Sequence, residues 1–427
     1  MNESTILEPV RTLQVVGAYD VVVVGGGIAG VAAALAAVRN GVSVCLIEKA
    51  FGLGGLATLG NVINYLPICD GNGRQVMSGL AEELLRLSVV DVGIENVSAR
   101  FRKVPACWQP GGDVEERKKV RFRVDFNPAS YAFALEKMVV EAGIHLMYDT
   151  KVCAVDHNGD MICHLIVENK SGRVALACKT VVDATGDADI CFLAKEKTES
   201  LDSNVLCGWF YTLDNSGLKL RTLTNKYSPY AMQEGATGPF FRGDDAEQVT
   251  AQVLGSRELI RSKLAEFRER DPDSDIQLVM PPSMACFRMT RRLVGAFSLG
   301  EKDMHTFFDD ITGFTGDWRK RGPVYAIPMR ALCGVHTKNL LAAGRCISAD
   351  TTVWDVTRAI PTCALTGEAS GTAAALSVHH HHGDVHALPI DRLQHRLKAQ
   401  GGLLSPDLAV PVEEGLMPTG SQGARFI

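Results

Sequence analysis

YDVVVVGGGIAGVAAALAAVRNGVSVCLIE, residues 19–48, decides the fold. Residues 19–24 form a continuous run rich in β-branched side chains, the pattern of a strand buried on both faces of a parallel sheet. Gly25-Gly-Gly27 follows at once, and residues 28–40 are small and apolar, a helix able to pack closely on that sheet. Gly41 is a stop, and residues 42–48 give the second strand.

This strand, turn, helix, strand unit carries Gly25-x-Gly27-x-x-Gly30, with Glu48 twenty-three positions after Gly25. In that context the first glycine permits the tight turn, the second lets backbone amides approach a pyrophosphate, and the third lets helix and strand pack closely. Ile28 and Ala29 begin a helix whose positive end favours phosphate, and Glu48, followed by Lys49, would accept hydrogen bonds from ribose hydroxyls. The motif alone leaves NAD and FAD open, because both contain these groups.

Outward from this unit, residues 50–73 read as a long ordered loop over the bound group, residues 77–89 and 128–143 as helices, and residues 100–126 as a solvated hairpin edge. Residues 145–155, 161–169 and 173–178 alternate like a small antiparallel sheet, with Val152 on its first strand. Residues 180–184 return to a buried strand ending in Thr185-Gly186-Asp187, and residues 339–343 form a last core strand. Residues 361–378 form a helix, one more follows Asp391, and residues 413–427 read as a frayed tail. The expected architecture is α/β: a Rossmann-like domain with a parallel sheet, built from residues 19–190 and 326–400, and an inserted α+β substrate domain at 191–325.

The opening stretch and the loop Leu53-Gly54-Gly55-Leu56-Ala57-Thr58-Leu59-Gly60 resemble the start of FAD-dependent oxidoreductases of the glutathione-reductase type. Asp183-Ala184-Thr185-Gly186-Asp187 resembles that family's strand-end ATGD motif. Residues 340–349, residues 358–375, Met289-Thr-Arg-Arg-Leu-Val-Gly295 and Tyr325-Ala-Ile-Pro-Met-Arg330 resemble a subfamily that includes many bacterial proteins of unassigned substrate. The resemblance implies FAD held by the Gly25 to Gly30 loop, Glu48, Lys49, Gly54, Gly55, Thr58, Val152, Ala184 to Asp187, Gly344 and Arg345. It is strong over residues 19–75 and 180–190, good over 284–378 and weak elsewhere. A helix with Pro361 in its first turn aims its positive end, with amides at Ile360 and Thr362, at the charge a reduced flavin carries. Ala50-Phe51-Gly52-Leu53 stands where some fumarate-reductase-like relatives attach FAD through histidine, so non-covalent FAD is expected.

The twelve cysteines are scattered without a CxxC pair, which argues against zinc and against a dithiol relay from flavin to substrate, and favours buried structural thiols. A second GxGxxG after a strand is absent too, so no dedicated nicotinamide domain is expected. The net charge of −5 supplies no general attraction for nucleic acid or an anionic membrane. Apolar runs of about ten residues fall short of the roughly 20 that span a bilayer, and MNESTILEPVRTLQ lacks the form of a secretory signal, so a cytoplasmic protein is expected.

On the substrate side, Arg288, Arg291, Arg292, Arg345 and Arg358 are candidates to clamp a carboxylate or phosphate bidentately, the first three as the expected catalytic residues. Asn61, Tyr65, Cys69 and Asp70 are candidates to face the flavin, and His379 to His382 read as a solvated run with no metal role. The expected activity is hydride transfer between flavin N5 and a small organic substrate, with an electron acceptor that no motif specifies and homo-oligomerisation left open. The alternatives are a fumarate-reductase-like or desaturating flavoprotein acting on a carboxylate, and a flavin-containing scaffold or RNA-associated flavoprotein.

Overall fold

A computed structural model describes residue 6 and residues 8–90, 104–224 and 238–412. Residues 100–103 of the expected hairpin edge and the tail at 413–427 lie outside the described residues. The central sheet has seven strands. β1 (Val15–Val24) pairs in parallel with β2 (Val44–Ile47), which pairs in parallel with β5 (His145–Met147). The other edge of β1 meets β8 (Gly172–Asp183) in parallel.

β8 is shared by two kinds of sheet. Its first half closes an antiparallel meander with β6 (Lys151–Asn158) and β7 (Met161–Asn169), while Val181, Val182 and Asp183 pair in parallel with β16 (Leu340–Ala342). The sequence pattern divides this strand after residue 178, but the chain runs straight through, because the Lys179 ammonium turns outward to Asp20 on β1 at 2.7 Å. Conversely, residues 145–155 are two strands. Asp149, at φ +48°, ends the parallel edge strand before the meander begins.

α1 (Ile28–Arg39) and α8 (Ile360–His381) pack closely on each other and against the sheet. A Cβ on Gly367 would strike the Ala29 carbonyl, and one on Gly371 the Ala33 carbonyl. The four-residue step is the same on both helices, so they run in the same direction. α2 (Leu80–Leu87) and α9 (Ile390–Ala399) pack on α8, and α4 (Pro128–Glu141) touches α1. Asn127 Oδ1 caps α4 at the Ala129 and Ser130 amides, with Pro128 in the first turn. α2 starts later than residue 77 because Gly79, at φ +61°, turns the chain, and buried Glu368 of α8 accepts the Leu80 amide at 2.8 Å.

Between the sheet and the final helices, α5 (Asp189–Leu193) follows β8. A three-stranded sheet then forms from β11 (Gly217–Thr224), β10 (Cys207–Asp214) and β12 (Gln277–Met280), with α6 (Ala246–Arg270) packed on β10. β9 (Thr198–Ser200) pairs with β13 (Arg291–Leu293), and β3 (Asn64–Tyr65) with β4 (Val124–Asp125). The hairpin of β14 (Ile311–Gly316) and β15 (Val324–Pro328), read in sequence as the end of the inserted unit, packs against α8. α3 (Val114–Arg117) and α7 (Thr351–Thr357) complete the helices that bear on this account. Among the described residues no helix is long and apolar enough to cross a membrane.

Two stability measurements test this packing. Gly371→Val should cost about 3 kcal/mol, read as a lowered midpoint in thermal or denaturant unfolding, because its added carbons meet backbone that cannot swing aside. Burial pushes the Glu368 carboxyl up to about 7, so the folded protein holds a proton that the unfolded chain loses above the ordinary value of 4.5. Stability should therefore fall by up to about 3 kcal/mol as pH rises from about 4.5 through about 7. Glu368→Gln should remove that decline and exceed the wild type in stability at about pH 8.

Candidate functional site

The site begins where β8 ends. Asp183 is fully buried, and its Oδ1 accepts from the Thr185 amide at 3.1 Å and hydroxyl at 2.7 Å. Its Oδ2 accepts the amides of Ile190 and Cys191, both at 2.9 Å, which starts α5. The Cys346 thiol donates to Asp183, and its sulfur accepts the amides of Gly186 at 3.2 Å and Ala188 at 3.3 Å. Burial, then the Asp183 charge, pushes this thiol well above its ordinary range, so it acts as a protonated clasp.

The three motif glycines answer to different constraints. A Cβ on Gly25, at φ +102°, would strike the Ala184 carbonyl, and one on Gly30 would fall on the Gly25 carbonyl. A Cβ on Gly27 would meet no protein atom within 4 Å. Gly27 is also the N-cap of α1 and supplies no side chain to the first-turn amides at Ile28 and Ala29. The first and third glycines serve packing, whereas the second faces open space at a positive helix end. Such a space suits an anionic group, and a larger residue there would fill it.

Beside it lies a pocket lined by Gly25, Glu48, Lys49, Val152, Thr185 and Asp189, among others. Glu48 Oε2 accepts the Gly26 amide at 2.6 Å and Oε1 the Ala50 amide at 2.7 Å, so the carboxylate is locked in place with lone pairs to spare for hydroxyl donors. Lys49 is largely exposed and reaches within 4.0 Å of Asp187. The second glycine loop closes the cradle: the Gly54 amide donates to the Gly26 carbonyl at 2.8 Å, and a Cβ on Gly55 would press on Gly27 Cα at 3.2 Å. The Thr58 hydroxyl is spent on the Leu53 carbonyl at 2.5 Å, which makes it a brace of this loop.

A second helix start stands further out on the same side. α8 is capped by Ala359, which offers no side-chain acceptor, and its first turn contains Ile360, Pro361 and the buried Thr362. Gly367 sits against Ala29, so Ile360 projects about 9 Å beyond the start of α1 at the rise of an α-helix. The Gly344 amide donates to Thr366 at 2.9 Å, and Arg345 reaches both the Phe287 carbonyl and Asp187, the latter at 3.3 Å. Thr290 also donates to Asp187, at 2.6 Å, so residues 287–290 are stitched to the strand-end loop.

The three arginines do not converge. Arg291 donates to the Asp187 carbonyl at 2.9 Å and to Asp189 at 2.6 Å, with Phe192 against its plane. Arg292 pairs with Glu199 at 2.8 Å beside Trp354. Buried guanidinium groups need partners, and for Arg291 and Arg292 the protein's own carboxylates supply them. Arg288 differs, lying over Trp209 with Nη2 3.6 Å from Cys207 Sγ. Arg358 is paired with Asp355.

Tyr65, Cys69 and Asp70 are likewise committed inside the protein. The Tyr65 hydroxyl donates to Ala81 at 2.7 Å, Cys69 Sγ accepts the Phe122 amide at 3.4 Å, and Asp70 holds the Arg74 guanidinium at 2.8 Å. His379 Nε2 meets the Asn40 carbonyl at 2.8 Å at the end of α8. Among the described residues no group of three His, Cys, Asp or Glu side chains is arranged to hold a metal ion.

Asn61 occupies a more informative place. It is buried at φ +56° and donates to the Trp209 carbonyl at 3.0 Å, joining the glycine loop to β10. Trp209 Nε1 is buried without a protein partner, and so is Asn64 Oδ1 on β3, three residues after Asn61. Asp125, across the β3–β4 pair from Asn64, has its carboxyl pushed up to about 6 by burial. None of these three residues belongs to a motif, and their separation in sequence left no local signal.

A family model described as FAD dependent oxidoreductase matches residues 20–204 and 244–397. The chain is 42% identical over 71 residues to thioredoxin reductase of Ureaplasma parvum serovar 3, a match spanning 17% of this chain and 23% of that protein's length. It is similar to a geranylgeranyl bacteriochlorophyll reductase-like protein from Thermoplasma acidophilum (12% identity, TM-score 0.44, covering 92% of this chain and 95% of that one). It is also similar to p-nitrophenol 4-monooxygenase from Pseudomonas putida DLL-E4 (11% identity, TM-score 0.44, covering 85% and 80%).

Substitutions at two of the motif glycines should separate packing from binding. Gly27→Val should leave the unfolding midpoint of the cofactor-free protein nearly unchanged and abolish flavin uptake, measured by absorbance after reconstitution. Gly30→Val should instead destabilise the cofactor-free protein itself, by about 3 kcal/mol.

Proposed function

The chain belongs to the FAD-dependent oxidoreductase family, and from that premise we propose that it passes a hydride between N5 of a non-covalently held FAD and a small organic substrate seated near the Asn61–Trp209 contact. The observation that carries this reading is the pair of helix starts without side-chain caps, pointing the same way and staggered by about 9 Å. Such a pair suits an elongated cofactor with negative charge at two separated points.

When bound, FAD supplies a two-electron centre. The α1 amides bind the pyrophosphate charge, and Glu48 accepts from ribose hydroxyls. The first turn of α8 favours negative charge at the far end of the cofactor. On the substrate side, the Trp209 indole N–H donates to a polar substrate atom, and Asn64 Oδ1 accepts from a substrate N–H or O–H. The Asp125 carboxyl, at about 6, gives or takes the proton that accompanies the hydride at a substrate heteroatom. Arg291 and Arg292 are paired with Asp189 and Glu199 inside the protein, which favours a neutral polar substrate over a carboxylate held by these two side chains.

The purified protein should be yellow, acid precipitation should release the flavin into the supernatant, and anaerobic mixing with a metabolite panel should bleach the oxidised flavin with the true reductant. Asp125→Asn should keep the flavin and lower kcat/KM about 100-fold, with loss of a titration near about 6 in the pH profile. A colourless protein that cannot be reconstituted would overturn the cofactor, and wild-type turnover by Asp125→Asn would overturn the proton-transfer role.

A further inference from the structure

α6 carries two neighbouring rows of side chains at four-residue steps. Gln252, Ser256 and Ile260 form the buried row, and Ile260 reaches β10 at Gly208, where an added Cβ would stand 3.0 Å from it. Val249, Val253 and Arg257 form the other row, half-buried at the valines and exposed at the arginine. A pocket opens between both rows and the segment 282–286, which contributes Pro282 and Met284. That segment is held in place, because the Ser283 amide donates to the Leu59 carbonyl of the glycine loop at 2.8 Å.

Two buried polar groups that line this pocket keep bonding capacity unspent. Gln252 is 1% exposed; its Nε2 donates to the Val205 carbonyl at 3.2 Å, while its Oε1 accepts from no group among the described residues. Ser256 is 5% exposed; its Oγ accepts the Cys207 amide at 3.1 Å, and its own proton goes to no acceptor among the described residues. Arg257, at the rim, makes no ion pair or hydrogen bond among the described residues. No aromatic ring lines the pocket, so its apolar walls suit a flexible chain better than a planar ring.

We propose that this pocket binds a medium-chain aliphatic carboxylate with a hydroxyl on its chain, the carboxylate on Arg257 and the hydroxyl between Gln252 and Ser256. The Arg257 guanidinium offers the carboxylate a planar pair of donors. The chain displaces water from Val249, Val253, Ile260, Pro282 and Met284. A hydroxyl both accepts and donates at one atom: it takes the Ser256 proton and gives its own to Gln252 Oε1, so both buried groups are satisfied. A carboxylate in that position would face Gln252 Oε1 with no proton to give, which sets the direction of the ligand. None of these residues belongs to the glycine loops or to the group of Asn61, Asn64, Trp209 and Asp125, so the site stands or falls apart from the hydride-transfer reading.

The full-length protein, purified with its cofactor, is titrated by calorimetry with ω-hydroxyoctanoate, octanoate and α,ω-octanediol. Saturable binding of ω-hydroxyoctanoate is expected, tighter than octanoate by about 5-fold for the hydrogen bonds of its hydroxyl and tighter than the diol by about 10-fold for its charge. Arg257→Gln, on an exposed side chain, should bring ω-hydroxyoctanoate down to the affinity of the diol. Val253→Trp should fill the pocket and abolish binding while the flavin content stays unchanged. The proposal is overturned if ω-hydroxyoctanoate fails to bind at millimolar concentration, if octanoate or the diol binds as tightly, or if either variant binds it as the wild type does. The three ligands on the wild-type protein decide the question even where Val253→Trp fails to fold.

Discussion

Gly367 and Gly371 place the backbone of α8 directly on the carbonyls of Ala29 and Ala33 in α1, closer than any residue with a Cβ would permit. The contact sets the direction of both helices and the offset between their starts. It also presses the pair onto a sheet whose central valines, Val21 to Val23 and Val181 to Val182, have no exposed surface. A few tenths of an ångström added at this interface would move one positive helix end relative to the other, and with it the span over which an elongated cofactor is held.

The polar counterpart is the network around Asp183. One carboxylate ends β8, starts α5 and orders the loop through Gly186, and the Cys346 thiol clasps that loop to the segment after β16. Asp187 extends the network to Thr290 and Arg345, and Arg291 reaches its carbonyl. Arg291 and Arg345, which look available for substrate in a linear reading, here tie residues 287–291 to the loop that follows β8.

Across that seam the chemistry changes character. The glycine loop, β10 and the segment before β13 meet at Asn61, Trp209, Cys207, Cys286 and Arg288, a cluster of donors, thiols and one cation drawn from three distant parts of the chain. Trp209 Nε1 and Asn64 Oδ1 are buried without a protein partner, and Asp125 lies opposite Asn64 on the β3–β4 pair.

By itself the sequence determined the strand, turn and helix of residues 19–48, the glycine loop at 53–60, the strand end at Asp183 and the paired glycines of α8. These are local patterns: β-branched runs, glycines at fixed steps and a proline in a first turn constrain nearby backbone directly. What each glycine is for was decided only in three dimensions, since Gly25, Gly27 and Gly30 are identical in sequence and differ only in what a Cβ would meet. The same holds for the arginines and the cysteines. Whether a guanidinium faces open space or an Asp, and whether a thiol meets a backbone amide or a guanidinium, depends on groups brought together by long-range packing, where no periodicity or spacing carries the information.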